Sequence, residues 1–207
     1  MEIRTGTEAG SLVRHPHKGS LFGVRTKNGE LLAADYVVLC TGAETNLLSK
    51  TAGITLPVWP ARAHSVIFHV PHSLRSLAPQ RAVLDPSAGV LASRVANTVR
   101  FTSVLQLSNE KVAGREWLVT SLLISARKMF PALSPILLDR GQLEIRTGVF
   151  ALSPDGVPII SGTRLANLYV NTGHGMNSLG TALGAGEVLC DLLEGKENPD
   201  TSMARFS

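Results

Sequence analysis

Asn167-Leu168-Tyr169-Val170-Asn171-Thr172-Gly173-His174-Gly175 is the stretch from which this chain is best read. Leu168 to Thr172 is a short β-prone run, and Gly173-His174-Gly175 breaks it. Leu179 to Leu193 then reads as an Ala/Leu/Gly helix, with Gly195 suited to its C′ position. A strand that ends in a glycine turn and opens into a helix is where open α/β sheets bind ligands. Glycine there is expected to let the backbone approach a flat or anionic ligand closely. The helix N-terminus adds free N–H groups and a partial positive charge.

The same geometry recurs near the start of the chain. Asp35-Tyr36-Val37-Val38-Leu39-Cys40 is an almost continuous apolar run, as expected of a strand covered on both faces in a parallel sheet. It ends in Thr41-Gly42-Ala43 and opens into a short helix over 44–50. Ahead of it, Ser11 to His15, Leu21 to Thr26 and Glu30 to Ala34 read as a β-meander. Asn28-Gly29 should form a hairpin turn with both central positions at positive φ. Gly173-x-Gly175-x-x-Ser178 echoes the dinucleotide-binding fingerprint, but its third glycine is missing and no βαβ unit follows, so the match is rejected.

Between these regions Pro57 and Pro60 mark a crossing into a different pattern. Ser65 to Val70, Ala82 to Leu84, Val90 to Arg94 and Thr98 to Leu105 read as strands of an antiparallel sheet. Val112 to Phe130 carries Trp117, Leu118, Leu122, Ile124 and Met129 at helical spacing and stops at Pro131. Leu143 to Val149 reads as a further strand, and Ser153-Pro154-Asp155-Gly156 as a turn. The fold class expected is mixed α/β (α+β). A discontinuous α/β domain, 1–60 with 151–207, is interrupted by an antiparallel-sheet domain over 61–150.

Composition excludes several classes. With 44% hydrophobic and 17% charged residues, the 207-residue chain fits a globular protein. The formal charge is +4, but the basic residues are scattered singly and aromatics are only 5%, so nucleic acid is not an expected partner. Cys40 and Cys190 lack metal or disulfide spacing and are expected to be buried small hydrophobes. Met1-Glu2-Ile3-Arg4-Thr5 has no apolar core of a signal peptide, and no run is long enough to span a bilayer. An intracellular protein without membrane association is the expectation. The histidines show no metal-ligand spacing, and no metal is expected.

The combined motifs are more specific. Ser153-Pro154-Asp155-Gly156-Val157-Pro158-Ile159-Ile160 followed by Asn167 to Gly175 resembles the C-terminal signature of the D-amino-acid oxidase/dehydrogenase family of FAD enzymes. The resemblance is closest to the dehydrogenase branch, with a TPDG-like turn, then NL-x-x-NTGHG, then a helix carrying Gly180, Gly184 and Gly186. Ala34 to Ala43 looks like the family's other flavin-side strand, and Leu56-Pro57-Val58-Trp59-Pro60 like its crossover.

The resemblance implies oxidation of the CH–NH bond of an amino acid or secondary amine, with hydride transfer to FAD. It places Ala9, Thr41, Gly42, Ala43, Gly173, His174, Gly175, Met176, Asn177 and Ser178 at the cofactor. No catalytic acid–base residue is assigned. His174 is either a neighbour of the flavin edge or a spacer between two working glycines, its ring satisfied locally.

Two departures stand out. Nothing in the 207 residues supplies the GxGxxG turn that holds the FAD pyrophosphate. A second chain completing the site, or a non-catalytic remnant, is therefore an alternative expectation. The family's turn reads G-x-R-P before TPDG, and its arginine can face a substrate carboxylate. Here Phe150 stands at that position, so Arg146, on the same strand face, is the expected substitute, with Arg62 and Arg100 as rivals.

Overall fold

A computed structural model describes residues 2–107 and 115–196. The chain opens with β1 (Ala9–Arg14), β2 (Leu21–Thr26), β3 (Leu31–Ala33) and β4 (Val37–Leu39), then the short helix α1 (Thr45–Ser49). Next come β5 (Trp59–His69), β6 (Val83–Asp85), β7 (Val90–Val95), β8 (Thr98–Ser103) and β9 (Gln106–Leu107). Helices α2 (Arg115–Met129) and α3 (Ser134–Leu138) lead into β10 (Glu144–Leu152). The chain closes with β11 (Ile159–Gly162), β12 (Leu168–Thr172) and α4 (Ser178–Leu193). It divides into two compact units, Met1–Pro60 with Phe150–Ser207, and Ala61–Val149.

The first unit contains two small sheets. β1, β2 and β3 form the antiparallel meander. Its hairpin differs from the expected one. Gly29 is at φ +90°, but Asn28 is not in the left-handed region. Gly29 donates to the Thr26 carbonyl and Thr26 N–H to the Glu30 carbonyl, so the loop spans three residues and closes on a left-handed glycine. That is the alternative hairpin geometry, in which only the last loop residue needs positive φ.

The second sheet has the order β11-β12-β4. β12 and β4 run parallel, with Leu168 opposite Val37 and Val170 opposite Leu39. All four of these side chains are buried, but they share one face; on the other, Tyr36 and Cys40 are exposed and Val38 is half-buried, so β4 is not covered on both faces as its continuous apolar run suggested. β11, antiparallel to β12, was not singled out as a strand from sequence. Asn167 ties this sheet to the meander. Its side-chain Oδ1 accepts from Leu21 N–H, and its Nδ2 donates to the carbonyls of Leu21 and Asp35. α4 ends in a Schellman arrangement: Gly195 sits at φ +85°, its N–H donates to Leu192 and that of Lys196 to Asp191.

The second unit carries an antiparallel sheet in the order β10-β5-β8-β7-β6, with β9 paired to β5. One face carries Val66, Phe68, Ala92, Val99 and Phe101, which pack against Val119, Leu122, Leu123 and Ala126 of α2 and Ile136 and Leu137 of α3. The aromatic pairs Phe68–Phe101 and Phe101–Phe130 lie 6.2 and 5.8 Å apart, within stacking range.

The buried stripe of α2 differs from the one the spacing suggested, because Trp117 and Ile124 are exposed. The sheet selects the face with Val119, Leu123 and Ala126, and Trp117 and Ile124 lie off that stripe. Residues 112–114 of the expected helix lie outside the described residues. Both cysteines are also exposed rather than buried. Cys40 follows Leu39 and alternates to the outside of the strand end. Cys190 lies on the outer face of α4, seven residues beyond the exposed Leu183.

Candidate functional site

The two strand–turn–helix elements meet in the first unit, and hydroxyl groups hold them together. Thr45, fully buried at the start of α1, donates to the Gly42 carbonyl at 2.6 Å and accepts from Thr41 Oγ1 at 3.2 Å. Thr172, buried at the end of β12, lies 3.1 Å from Thr45 Oγ1 and donates to the same Gly42 carbonyl at 3.3 Å. One carbonyl thus receives hydroxyl protons from both elements. Buried hydroxyls with complete hydrogen bonding cost little and fix geometry. This brings Thr41, Gly42 and Ala43 beside Gly173 and His174. Neither Thr45 nor Thr172 was selected from sequence. The available signal was Thr172 inside the NTGHG run, with Thr41 and Thr45 four residues apart on the first turn.

The second turn is shaped by its own backbone. Gly173 and Gly175 sit at φ +77° and +57°, with His174 between them at φ −70°. His174 makes a β-bridge to Leu152, which anchors the turn to the end of β10. A Cβ at Gly173 would come 3.2 Å from Ser153 Cβ, and one at Gly175 3.1 Å from Leu152 Cδ2. These glycines are therefore required by the left-handed backbone and by packing within the chain, independently of any ligand. Gly42, at φ +54°, differs, because a Cβ there would point into open space.

His174 is fully engaged. Its Nε2 lies 2.7 Å from Asn171 Oδ1 and its Nδ1 3.1 Å from Thr181 Oγ1. Burial pushes the imidazole below its ordinary value, so at neutral pH it is uncharged. In that state Nε2–H donates to Asn171, and Nδ1 accepts from the Thr181 hydroxyl. The ring thereby couples the end of β12 to the first turn of α4, and the single Thr181 hydroxyl proton is shared between Nδ1 and the Asn177 carbonyl, each 3.1 Å away.

Met176, Asn177 and Ser178 are exposed, and no side chain caps the first turn of α4. A 3-10 turn over Gly175–Asn177 runs directly into α4, so the N–H groups left for an electron-rich group fall at the start of that combined helical segment. That arrangement fits one end of a flavin. Ala9 is exposed on β1, opposite Thr26, in the meander sheet.

The expected substrate-side residues fall differently. Arg146 on β10 is exposed, and its Nε donates to Glu144 Oε1 at 2.5 Å. Its charge is already paired. Phe150, four residues on, is half-buried. Among the described residues no group of His, Cys, Asp or Glu could hold a metal ion, and no helix is long and apolar enough to cross a membrane.

Comparisons with known proteins carry the geometry further. The sequence model of a family described as FAD dependent oxidoreductase matches residues 1–192. The D-amino acid dehydrogenase of Xanthobacter autotrophicus is 33% identical over 199 residues, which cover 94% of this chain and 46% of that protein. That of Methylobacterium nodulans is 34% identical over 198 residues, covering 94% and 45%. The chain thus spans less than half the length of these relatives.

Among solved structures, glycine oxidase from Geobacillus kaustophilus superposes with a TM-score of 0.70 at 24% identity, over 97% of this chain and 51% of that one. L-proline dehydrogenase from P. horikoshii gives 0.71 at 23%, over 97% and 54%. The fold is therefore that of part of a bipartite flavoprotein.

Proposed function

The chain belongs to the FAD dependent oxidoreductase family, and from that premise we propose that it forms part of an enzyme oxidising the CH–NH bond of an amino acid or secondary amine. The observation that carries the reading is the paired turn, in which Thr45 and Thr172 converge on the Gly42 carbonyl beside the uncapped start of α4. FAD, when bound, supplies the hydride acceptor. The chain's own share is to position one end of the cofactor. Thr41, Gly42 and Ala43 line one turn, and Gly173 to Ser178 line the other. The helix N–H groups favour electron density at that end. His174 acts by orientation, holding β12 and α4 in register. The D-amino acid dehydrogenases among its relatives make a D-amino acid the first substrate to try.

The site needs a further polypeptide segment. The chain contains no GxGxxG turn, and backbone N–H groups at such a turn contribute heavily to pyrophosphate binding. The outer face of α4 supports this. Leu179 and Leu183 are 91% and 88% exposed, with Met176 and open glycines 180 and 184 beside them. A helix that is apolar on both faces is normally buried on both.

The test is direct. The purified chain is mixed with FAD, alone and with a separately expressed polypeptide carrying the amino-terminal half of the Xanthobacter autotrophicus relative. The flavin's visible absorption is then recorded before and after adding D-amino acids. Uptake of flavin that bleaches with substrate supports the enzyme reading. A mixture that takes up no flavin overturns it, and flavin that is bound but never bleached favours a non-catalytic subunit.

A further inference from the structure

We propose that Arg100 anchors the carboxylate of the substrate, on an apolar floor formed by the open face of the antiparallel sheet. The inference rests on the amino-acid reading above and supplies the cation that Phe150 removes. Strand register sets the geometry. Arg100 on β8 stands opposite Ile67 of β5 and Ser93 of β7, and Thr102, two residues on, stands opposite Ser65 and Leu91. Residues directly opposite one another share a face of the sheet. The intervening Phe101, with Val66 and Ala92, points to the other face and is buried in the core.

Among the described residues, the guanidinium is oriented by one hydroxyl. Ser65 is 3% exposed, and its hydroxyl accepts from Arg100 Nε at 3.1 Å and Nη2 at 3.0 Å, with Thr102 Oγ1 a further 3.1 Å from Ser65 Oγ. A neutral hydroxyl fixes the direction of the fork without cancelling its charge. Among the described residues no carboxylate pairs with Arg100, whereas Arg146, the arginine chosen from sequence, is paired with Glu144.

A fork held in this way matches a carboxylate in geometry and charge. Ile67 stands directly beside it, and Leu91, paired with Leu84, extends the same face with exposed apolar surface. A cation with no carboxylate partner among the described residues, beside an apolar strip, fits a ligand with one carboxylate and an apolar body. The substrate class assigned is therefore amino acids with apolar side chains, ahead of glycine or acidic amino acids.

Benzoate and benzamide test this on the chain without flavin, because the two share a shape and differ in charge. Each is titrated against the isotope-labelled chain, and backbone amide shifts of residues 65, 67, 91, 100 and 102 are followed. Benzoate is expected to move them saturably, and benzamide to bind at least tenfold more weakly. R100A should weaken benzoate by about 10- to 100-fold, the range of one lost charge-assisted contact, while R146A leaves it unchanged. S65A, which keeps the charge and loosens its direction, should weaken benzoate by less than R100A. R100Q replaces R100A if the alanine variant loses its dispersed spectrum. Absence of saturable shifts in the wild-type chain, equal binding of benzamide, or wild-type affinity in the arginine variants overturns the assignment. None of these measurements involves flavin, so failure here and failure of flavin uptake are read separately.

Discussion

The two units of this chain solve the same problem differently. The unit over Ala61–Val149 closes its own core: one face of its sheet is covered by α2 and α3, and Phe101 is completely buried between Phe68 and Phe130. The unit built from the two ends of the chain also has an apolar core, but its parts are fastened by polar groups. Asn167, Thr45 and Thr172 each bridge segments distant in sequence. It also leaves the outer face of α4 apolar and open. The difference separates a core closed by helices from one that leaves a helix face open. Non-directional burial stabilises the first, and directional hydrogen bonds position the second.

Substitutions can break or sharpen that contrast. The largest effect is expected from Phe101→Ala, which removes a fully buried ring from the closed core. It should cost about 3–5 kcal/mol by denaturant titration. A loss of under about 1 kcal/mol would show that this core is not closed.

Asn167→Ala comes next. It leaves the Leu21 N–H and two carbonyls without partners, and should cost about 2–3 kcal/mol. Amide exchange should rise at Leu21 and Val37 while β5 and β8 stay protected. If protection falls equally everywhere, the two units do not respond independently.

Gly173→Ala is expected to cost about 1–2 kcal/mol for the left-handed backbone, with more from its contact with Ser153. Gly42→Ala should cost only the backbone part, because its Cβ meets open space. Thermal denaturation of the pair orders them, and equal losses would remove packing as the reason for Gly173.

The smallest effect is a pH dependence. Burial holds the His174 imidazole below its unfolded value, so protonation favours the unfolded chain. Its contribution to stability is complete above pH 6.5, the unfolded value. It is lost as pH falls from there through the lower folded value. His174→Gln should flatten the stability profile over that interval. An unchanged profile would place the titrating group elsewhere.

Much of the fold was legible because it depended on local pattern. The apolar run at Val37–Leu39 and the glycine break after Thr172 each carry their meaning in adjacent residues. The stripe of α2 was misread because Trp117 and Ile124 are as apolar as the residues that were buried, and only the sheet chooses between the faces. The exposure of Cys40 and Cys190 follows from strand alternation and helix rotation, which their apolar neighbours concealed. At the candidate site the glycines and His174 stood out by motif. Thr45 did not, because an isolated threonine shows nothing of a partner 127 residues away.

What the sequence determined by itself was the kind of parts: two strands ending in glycine turns, an antiparallel region between them, and a family motif at each end. Tertiary structure decided which groups meet. It placed three threonines around Gly42, paired Arg146 with Glu144, and left Arg100 oriented by Ser65 with no carboxylate beside it among the described residues. The physical reason is range. Backbone preference and hydrophobic period act over a few residues and are written locally. A hydrogen bond or ion pair depends on distances of a few tenths of an ångström between groups that only the folded chain brings together.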